Sequence, residues 1–215
     1  MKTRFIYFVI CLILVNCKEP QPKLIFNYSD KPMVLNCNNE YTNLLNEALH
    51  NFEATLTEHY GNNKTNISSI NNAYRDFLKE STINATNYNN IANQHSLDIF
   101  EALKNIDGLW ITKNNQLSLN YKHEIFSCIG NNISDKDLKT TFNALLSTNS
   151  MSIRMLKDLF LTRSHIFNKD KYLATYVALE LYYSKLSNVD LTKKEEKPLD
   201  TTKDTKDPHA GHNHD

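Results

Sequence analysis

Tyr41, Leu44, Leu45, Ala48, Leu49, Phe52 and Leu56 recur at i, i+3, i+4, i+7, i+8, i+11 and i+15. That spacing puts all seven side chains on one face of an α-helix, and such a face needs a second surface to cover it. Gly61-Asn62-Asn63 ends the pattern. The period returns in Ile67, Ile70, Tyr74, Phe77 and Leu78, weakens over residues 81–86, and resumes in Tyr88, Ile91, His95, Ile99 and Leu103. Periodicity leaves open whether this second stretch is one long helix or two. Asp107-Gly108 is a stop, and residues 109–119 have apolar positions on both sides of Lys113-Asn114-Asn115, which fits a loop or a short hairpin.

Further helices are expected downstream. Residues 121–129 read as a short one that carries Cys128 and is closed by Gly130. Ser134-Asp135-Lys136-Asp137 has the form of a capping box and opens a helix with Leu138, Phe142, Leu145 and Leu146 on one side. Met151, Met155, Leu156, Leu159 and Phe160 mark the next. Asn168 or Asp170 caps the last, in which Tyr172, Leu173, Tyr176, Val177, Leu179, Leu181 and Tyr183 span so wide an apolar arc that a central place in the core is expected. With only 4 glycines, tight all-β hairpins and glycine-rich phosphate loops are disfavoured. The expected fold is therefore all-α, a bundle of five to seven helices over residues 38–188. Residues 189–215 form an expected disordered tail, because from Lys193 onward the chain lacks aromatics and alternates Lys with Asp, Glu and Thr.

The N-terminus has a different character. Lys2 and Arg4 precede an uninterrupted apolar run over residues 5–15. As a helix that run rises only about 16 Å, roughly half of a ~30 Å hydrocarbon layer, so it is too short for a permanent span. Leu14-Val15-Asn16-Cys17 resembles the lipobox of bacterial lipoproteins, with Asn16 standing where Gly, Ala or Ser is usual. The resemblance implies that residues 1–16 are a removed signal peptide and that Cys17 carries a diacylglycerol. With Pro20, Pro22 and Pro32 and no helical period, residues 17–37 read as a lipidated tether, with Leu24-Ile25-Phe26 or Met33-Val34-Leu35 as stretches that can lie extended against the domain. Several acyl chains give stable attachment, so the membrane is the first expected partner. Lys18, where inner-membrane lipoproteins carry Asp, points by the same resemblance to an outer-membrane-anchored protein of the cell envelope.

Charge excludes one class of partner. Lysines and arginines equal aspartates and glutamates at 24 each, and loss of Lys2 and Arg4 with the signal makes the balance slightly acidic. Nothing favours nucleic acid. Cys37 and Cys128 remain once Cys11 leaves and Cys17 is lipidated. In an oxidising compartment such a pair is a disulfide candidate, the alternative being two buried thiols. The sequons at Asn27, Asn63, Asn66, Asn84 and Asn132 read as chance behind a bacterial signal.

The sharpest constellation for chemistry is His209, His212 and His214, ahead of Asp215 at the very end of the chain. Three neutral imidazoles within six residues suit Zn, Cu or Ni in a loose site without a supporting second layer of contacts. Glu47 and His50 have the Glu-x-x-His spacing of di-iron bundles, but no second pair accompanies them; His59 and His123-Glu124 are wrongly spaced. No nucleophile signature is present, so no catalytic residue is assigned. The expectation is an envelope lipoprotein that binds a protein or small-molecule partner without resident cofactor. Metal binding or buffering through the histidine tail is the alternative.

Overall fold

The computed structural model describes residues 24–37, 40–61, 67–113 and 116–194, with residues 67 and 68 in backbone only. Cys17, His209, His212 and His214 lie outside the described residues. Eight α-helices and one hairpin are found among them, so the all-α expectation holds. Seven helices have seven residues or more: α1 Thr42–Tyr60, α2 Ile67–Ser81, α4 Gln94–Lys104, α5 Glu124–Asn132, α6 Lys136–Ser147, α7 Ile153–Thr162 and α8 Lys171–Val177. The eighth, α3 (Tyr88–Ile91), is a single turn. None of the described helices is long and apolar enough to cross a membrane.

The long middle stretch is broken for identifiable reasons. After α2, Asn84 takes a left-handed conformation (φ 56°), and the Ala85 amide donates back to Glu80 O at 2.9 Å. That reverse turn satisfies a carbonyl the helix end would leave bare. Asn93 then restarts the chain as the N-cap of α4, accepting from Ser96 N at 2.8 Å. After α4, Gly108 adopts φ +73° and leads into β1 (Trp110–Lys113), which pairs antiparallel with β2 (Gln116–Leu119), Trp110 opposite Leu119. The short-hairpin alternative is the one the chain adopts.

Two local expectations are corrected. The cap of α6 is Asp135, whose Oδ1 accepts from Asp137 N and Leu138 N at 3.0 Å each, while the Ser134 amide donates to Asp170 Oδ2. The carboxylate one residue on reaches both orphan amides, leaving the Ser134 backbone to tie α6 to the cap of α8. Gly130 is inside α5 and does not close it. A Cβ there would stand 2.2 Å from Asn143 Oδ1 and 3.1 Å from Phe142 Cδ1, so this glycine marks the close approach of α5 and α6.

α1 is the centre of the molecule and packs against α2, α4 and α8. Leu45, Leu49, Phe52 and Leu56 are wholly buried, and so, unusually, are Asn51 and Thr55 within a few per cent. The last helix supplies the reason. Beyond α8 the chain passes through a π-helical segment, Ala178–Tyr182, and then a 3-10 segment, Tyr183–Asn188. The wider turn shifts the register, so that adjacent Tyr182 and Tyr183 both point inward, fully buried. Tyr182 OH donates to Ser96 Oγ at 2.8 Å and Ser96 Oγ donates to Asn93 Oδ1 at 2.9 Å, while Tyr183 OH donates to Ala48 O at 2.9 Å. Both hydroxyls have spent their protons, so only a donor can approach them. The Asn51 Nδ2 group does, at 2.9 Å from Ser96 Oγ and 3.2 Å from Tyr183 OH. Burial pushes the Tyr182 hydroxyl pKa up to about 12, which keeps that donor protonated. Tyr88 OH meets Leu181 O at 2.6 Å, covering a carbonyl in the π segment.

The helical unit does not stop at residue 188. Val189 and Leu191 pack on the core, the Asp190 amide donates to Asn89 Oδ1 at 2.9 Å, and Leu191–Lys193 is one 3-10 turn. Nor is the segment before α1 a free leash. Residues 24–37 form an extended strap over α1, with Leu35 only 2 % exposed. Cys37 at its end is bonded to Cys128 of α5, with 5.6 Å between the Cα atoms. The link spans a sequence separation of 91 and, in the chain-entropy treatment, stabilises by at most ~5 kcal/mol. We expect Cys128→Ser to lower the unfolding free energy by about 2–4 kcal/mol in denaturant titration. A thiol assay on the denatured, unreduced protein should find neither Cys37 nor Cys128 reactive; reactivity of both refutes the bond.

Candidate ligand groove beside the N-terminal strap

The strap is held by three polar positions within about one turn of α1, Asn46, Glu47 and His50. Asn46 Oδ1 accepts from Val34 N (2.8 Å) and Leu35 N (3.1 Å), and its Nδ2 donates to Leu35 O (3.0 Å) and Thr42 O (2.8 Å). Glu47, 2 % exposed, accepts from Asn27 N at 2.6 Å through Oε1 and from Tyr28 N at 3.1 Å through Oε2. One turn on, His50 Nε2 lies 3.1 Å from Pro32 O, the geometry of an N–H donating to that carbonyl. The strap has too few residues to form its own ladder, so the α1 side chains supply the partners its backbone would otherwise lack.

This arrangement decides the meaning of the Glu-x-x-His spacing. Glu47 and His50 face the strap and not a bundle interior, and both spend their polar atoms on its backbone. Glu47 Oε1 also receives His95 Nε2 of α4 at 2.6 Å. The Tyr28 ring sits between the two imidazoles, with centroids 6.0 Å from His50 and 6.1 Å from His95. Burial, then the nearby Glu47 and Glu58 carboxylates, hold the Tyr28 hydroxyl pKa above its usual value. Among the described residues no group of three or more His, Cys, Asp or Glu side chains is placed to share a metal ion. Of the other sequence candidates, His123 caps α5 by accepting from Ile125 N through Nδ1, and His59 lies against the Tyr60 ring at 4.6 Å.

Beside the strap lies an open groove of about 790 Å³, lined by Tyr28, Lys31, His50, Glu53, Ala54, Thr57, Glu58, Gly61, Ile70 and Asn168. Its volume is in the range of small-molecule sites. The α1 residues at 50, 53, 54, 57 and 58, with Gly61 at the helix end, form one wall by their helical spacing. Glu53 Oε1 accepts from Tyr74 OH at 2.8 Å and from Lys171 Nζ at 2.6 Å, both from elements behind the groove. Glu53 is thereby fixed and its charge balanced. Glu58 and Lys31 have no ion-pair or hydrogen-bond partner among the described residues, so the groove offers one free charge of each sign. Ala54 and Ile70 give it apolar floor, and the Tyr28 and His50 rings an aromatic flank. Sequence reasoning missed this site because its members come from the strap, α1, α2 and the turn before α8. No spacing rule links Tyr28, Glu58 and Asn168.

A second polar cluster stands apart from the groove. Tyr121 OH donates to Glu180 Oε2 at 2.8 Å, and Glu180 belongs to the π segment. Burial raises the Glu180 carboxyl pKa, opposed by the Tyr121 hydrogen bond and Lys185. With its oxygen engaged by a core tyrosine, this group supports packing of β2 and α5 against the last helix.

The latch makes a direct prediction. Glu47→Ala strips the acceptor from two strap amides and the partner from His95, and should cost about 2–4 kcal/mol in stability. Hydrogen exchange at Asn27 and Tyr28 should accelerate in the variant while amides inside α1 near Phe52 change little. Unchanged exchange at 27 and 28 would show that Glu47 does not hold the strap. No family model matches the chain, and comparison with curated proteins and with solved structures likewise gives no match.

Proposed function

We propose that the protein is a lipid-anchored lipoprotein of the outer membrane whose helical domain binds a small charged ligand and performs no catalysis. The observation that carries the reading is the groove beside the strap, in which the Glu58 and Lys31 side chains are uncommitted among the described residues while Glu53 and His50 are already engaged. A free carboxylate and a free ammonium over an apolar floor complement a compact molecule bearing both charges, such as an amino acid or a short peptide. The case against catalysis is chemical. Glu47, His50, His95 and Glu53 are each bonded to backbone or to a fixed side chain, and the uncommitted Glu58 has no hydrogen-bonded partner among the described residues through which to relay a proton. The anchor rests on the lipobox-like residues 14–17.

Two experiments test the two halves. Cells grown with radioactive palmitate should label the wild type and not Cys17→Ala; equal labelling sinks the anchor. For the site, calorimetry with free amino acids and dipeptides should detect binding to the wild type and none to Ala54→Trp, whose ring fills the groove from an exposed position without touching the latch. Heat from Ala54→Trp equal to that of the wild type, or from neither protein, refutes the groove.

The tail supports a second reading, transition-metal binding, because His209, His212 and His214 are close enough in sequence to share one ion. Titration of zinc and copper into the full chain and into a chain ending at Pro208 separates it from the first. Binding that survives removal of the tail excludes these three histidines as the site.

A further inference from the structure

Six large hydrophobic side chains are strongly exposed among the described residues, and three of them crowd into the strap: Ile25 at 77 %, Phe26 at 40 % and Met33 at 61 %. Ile83, Ile111 and Met155 are scattered over separate elements. Phe26 and Met33 line the same shallow hollow of about 360 Å³, with Lys31 on its rim and Asn43, Asn46 and Glu47 of α1 behind it. The exposure is built, not loose. Asn27 and Tyr28 are fixed to Glu47, Val34 and Leu35 to Asn46, and Cys37 to Cys128, so the backbone is fastened to the domain directly after Phe26 and on both sides of Met33. Fastening turns Leu35 inward and leaves Ile25, Phe26 and Met33 facing out.

Chain length says what they face. Six residues lie between Cys17 and Leu24, and the seven steps from one to the other reach at most about 25 Å at ~3.5 Å each. Whatever holds Cys17 in a bilayer therefore holds the strap beside that bilayer. Lysines exceed acids along this part of the chain: Lys18, Lys23 and Lys31 against Glu19 and Asp30. Basic residues interleaved with exposed aliphatic and aromatic ones are the composition of an interfacial segment, in which cations meet lipid phosphates and apolar side chains enter the headgroup–acyl boundary.

We propose that the outer face of the strap, Ile25, Phe26 and Met33, is a membrane-contact surface that lies in the phospholipid interface and docks the domain in one orientation. The inference rests on the anchored reading above. It adds that the domain does not swing on its tether, because the apolar side chains of the strap stay in contact with lipid.

The chain has one tryptophan, Trp110, so Phe26→Trp in the otherwise native full-length protein adds a single reporter at an exposed position. Ile83→Trp adds a control reporter at a comparably exposed site. Each lipidated protein is reconstituted in vesicles of phosphatidylethanolamine and phosphatidylglycerol, with and without acyl-brominated lipid. Quenching should remove roughly half or more of the emission added at position 26 and almost none of that added at 83. Ile25→Ser together with Met33→Ser should reduce the quenching at 26. If the protein floats with the vesicles and the two reporters are quenched alike, the contact surface is refuted while the anchor stands. If the protein neither takes up palmitate nor floats, the anchored reading fails and takes this inference with it. Protection of position 26 by a second copy or by a protein partner would appear as quenching-insensitive emission that is blue-shifted in vesicles, which also overturns the proposal.

Discussion

A carboxylate enclosed by protein must be fully engaged or it undermines the fold around it, and Glu47 meets that requirement with groups from three segments. Two amides come from the strap and one imidazole from α4, while the carboxylate itself belongs to the central helix. The strap cannot lift without stranding Glu47, and α4 cannot shift without losing the His95 contact. One residue thus sets the position of the N-terminal segment, and through Tyr28 it shapes both hollows that flank the strap.

The rest of α1 follows the same logic. A helix covered on nearly every side would ordinarily read as apolar all round, yet this one buries Asn46, Glu47, Asn51 and Thr55. The counterparts are strap backbone for Asn46 and Glu47, the Ser96 and Tyr183 oxygens for the Asn51 Nδ2 group, and the Asn51 main-chain carbonyl for Thr55. Asn51 Oδ1 is the one buried acceptor of the four side chains left without a partner among the described residues. The π segment is what brings the Tyr183 hydroxyl to Asn51 while its neighbour Tyr182 reaches Ser96. A regular helix would have turned one of the two away. The irregularity in the last helix and the polarity of the first are therefore two halves of one arrangement.

Legibility in the sequence divides along the same line. The helical face of Tyr41 to Leu56 is plain because it depends on a local period, and so are the stops at Gly61 and Gly108, whereas the α8 cap is left open between Asn168 and Asp170 and only the structure selects Asp170. Ser134 misled by a single residue, since Ser and Asp are both good caps and only geometry tells which reaches the free amides. Gly130 misled because a glycine required by a neighbouring helix looks, in sequence, like one that ends its own. The role of Glu47 was out of reach for a stronger reason. Its partners are backbone amides 19 and 20 residues away, and backbone amides leave no trace in residue identity. The groove was hidden likewise, its walls drawn from positions as far apart as Tyr28 and Asn168.

What separates a binding module from a catalyst in this fold is how its reactive groups are spent. An acid or base in catalysis must give up one hydrogen bond for another as protons move, so it needs a partner that yields. Glu47 and His50 are joined to main-chain atoms whose positions are fixed by the Cys37–Cys128 bond at one end and by Asn46 in between. Such partners do not yield without detaching the strap. Glu58 and Lys31 carry no such commitments among the described residues, and both line the groove of about 790 Å³ that the strap helps to wall. The side chains that hold the strap in place thus also shape a hollow with one uncommitted carboxylate and one uncommitted ammonium, the pre-organisation that the proposed ligand site requires.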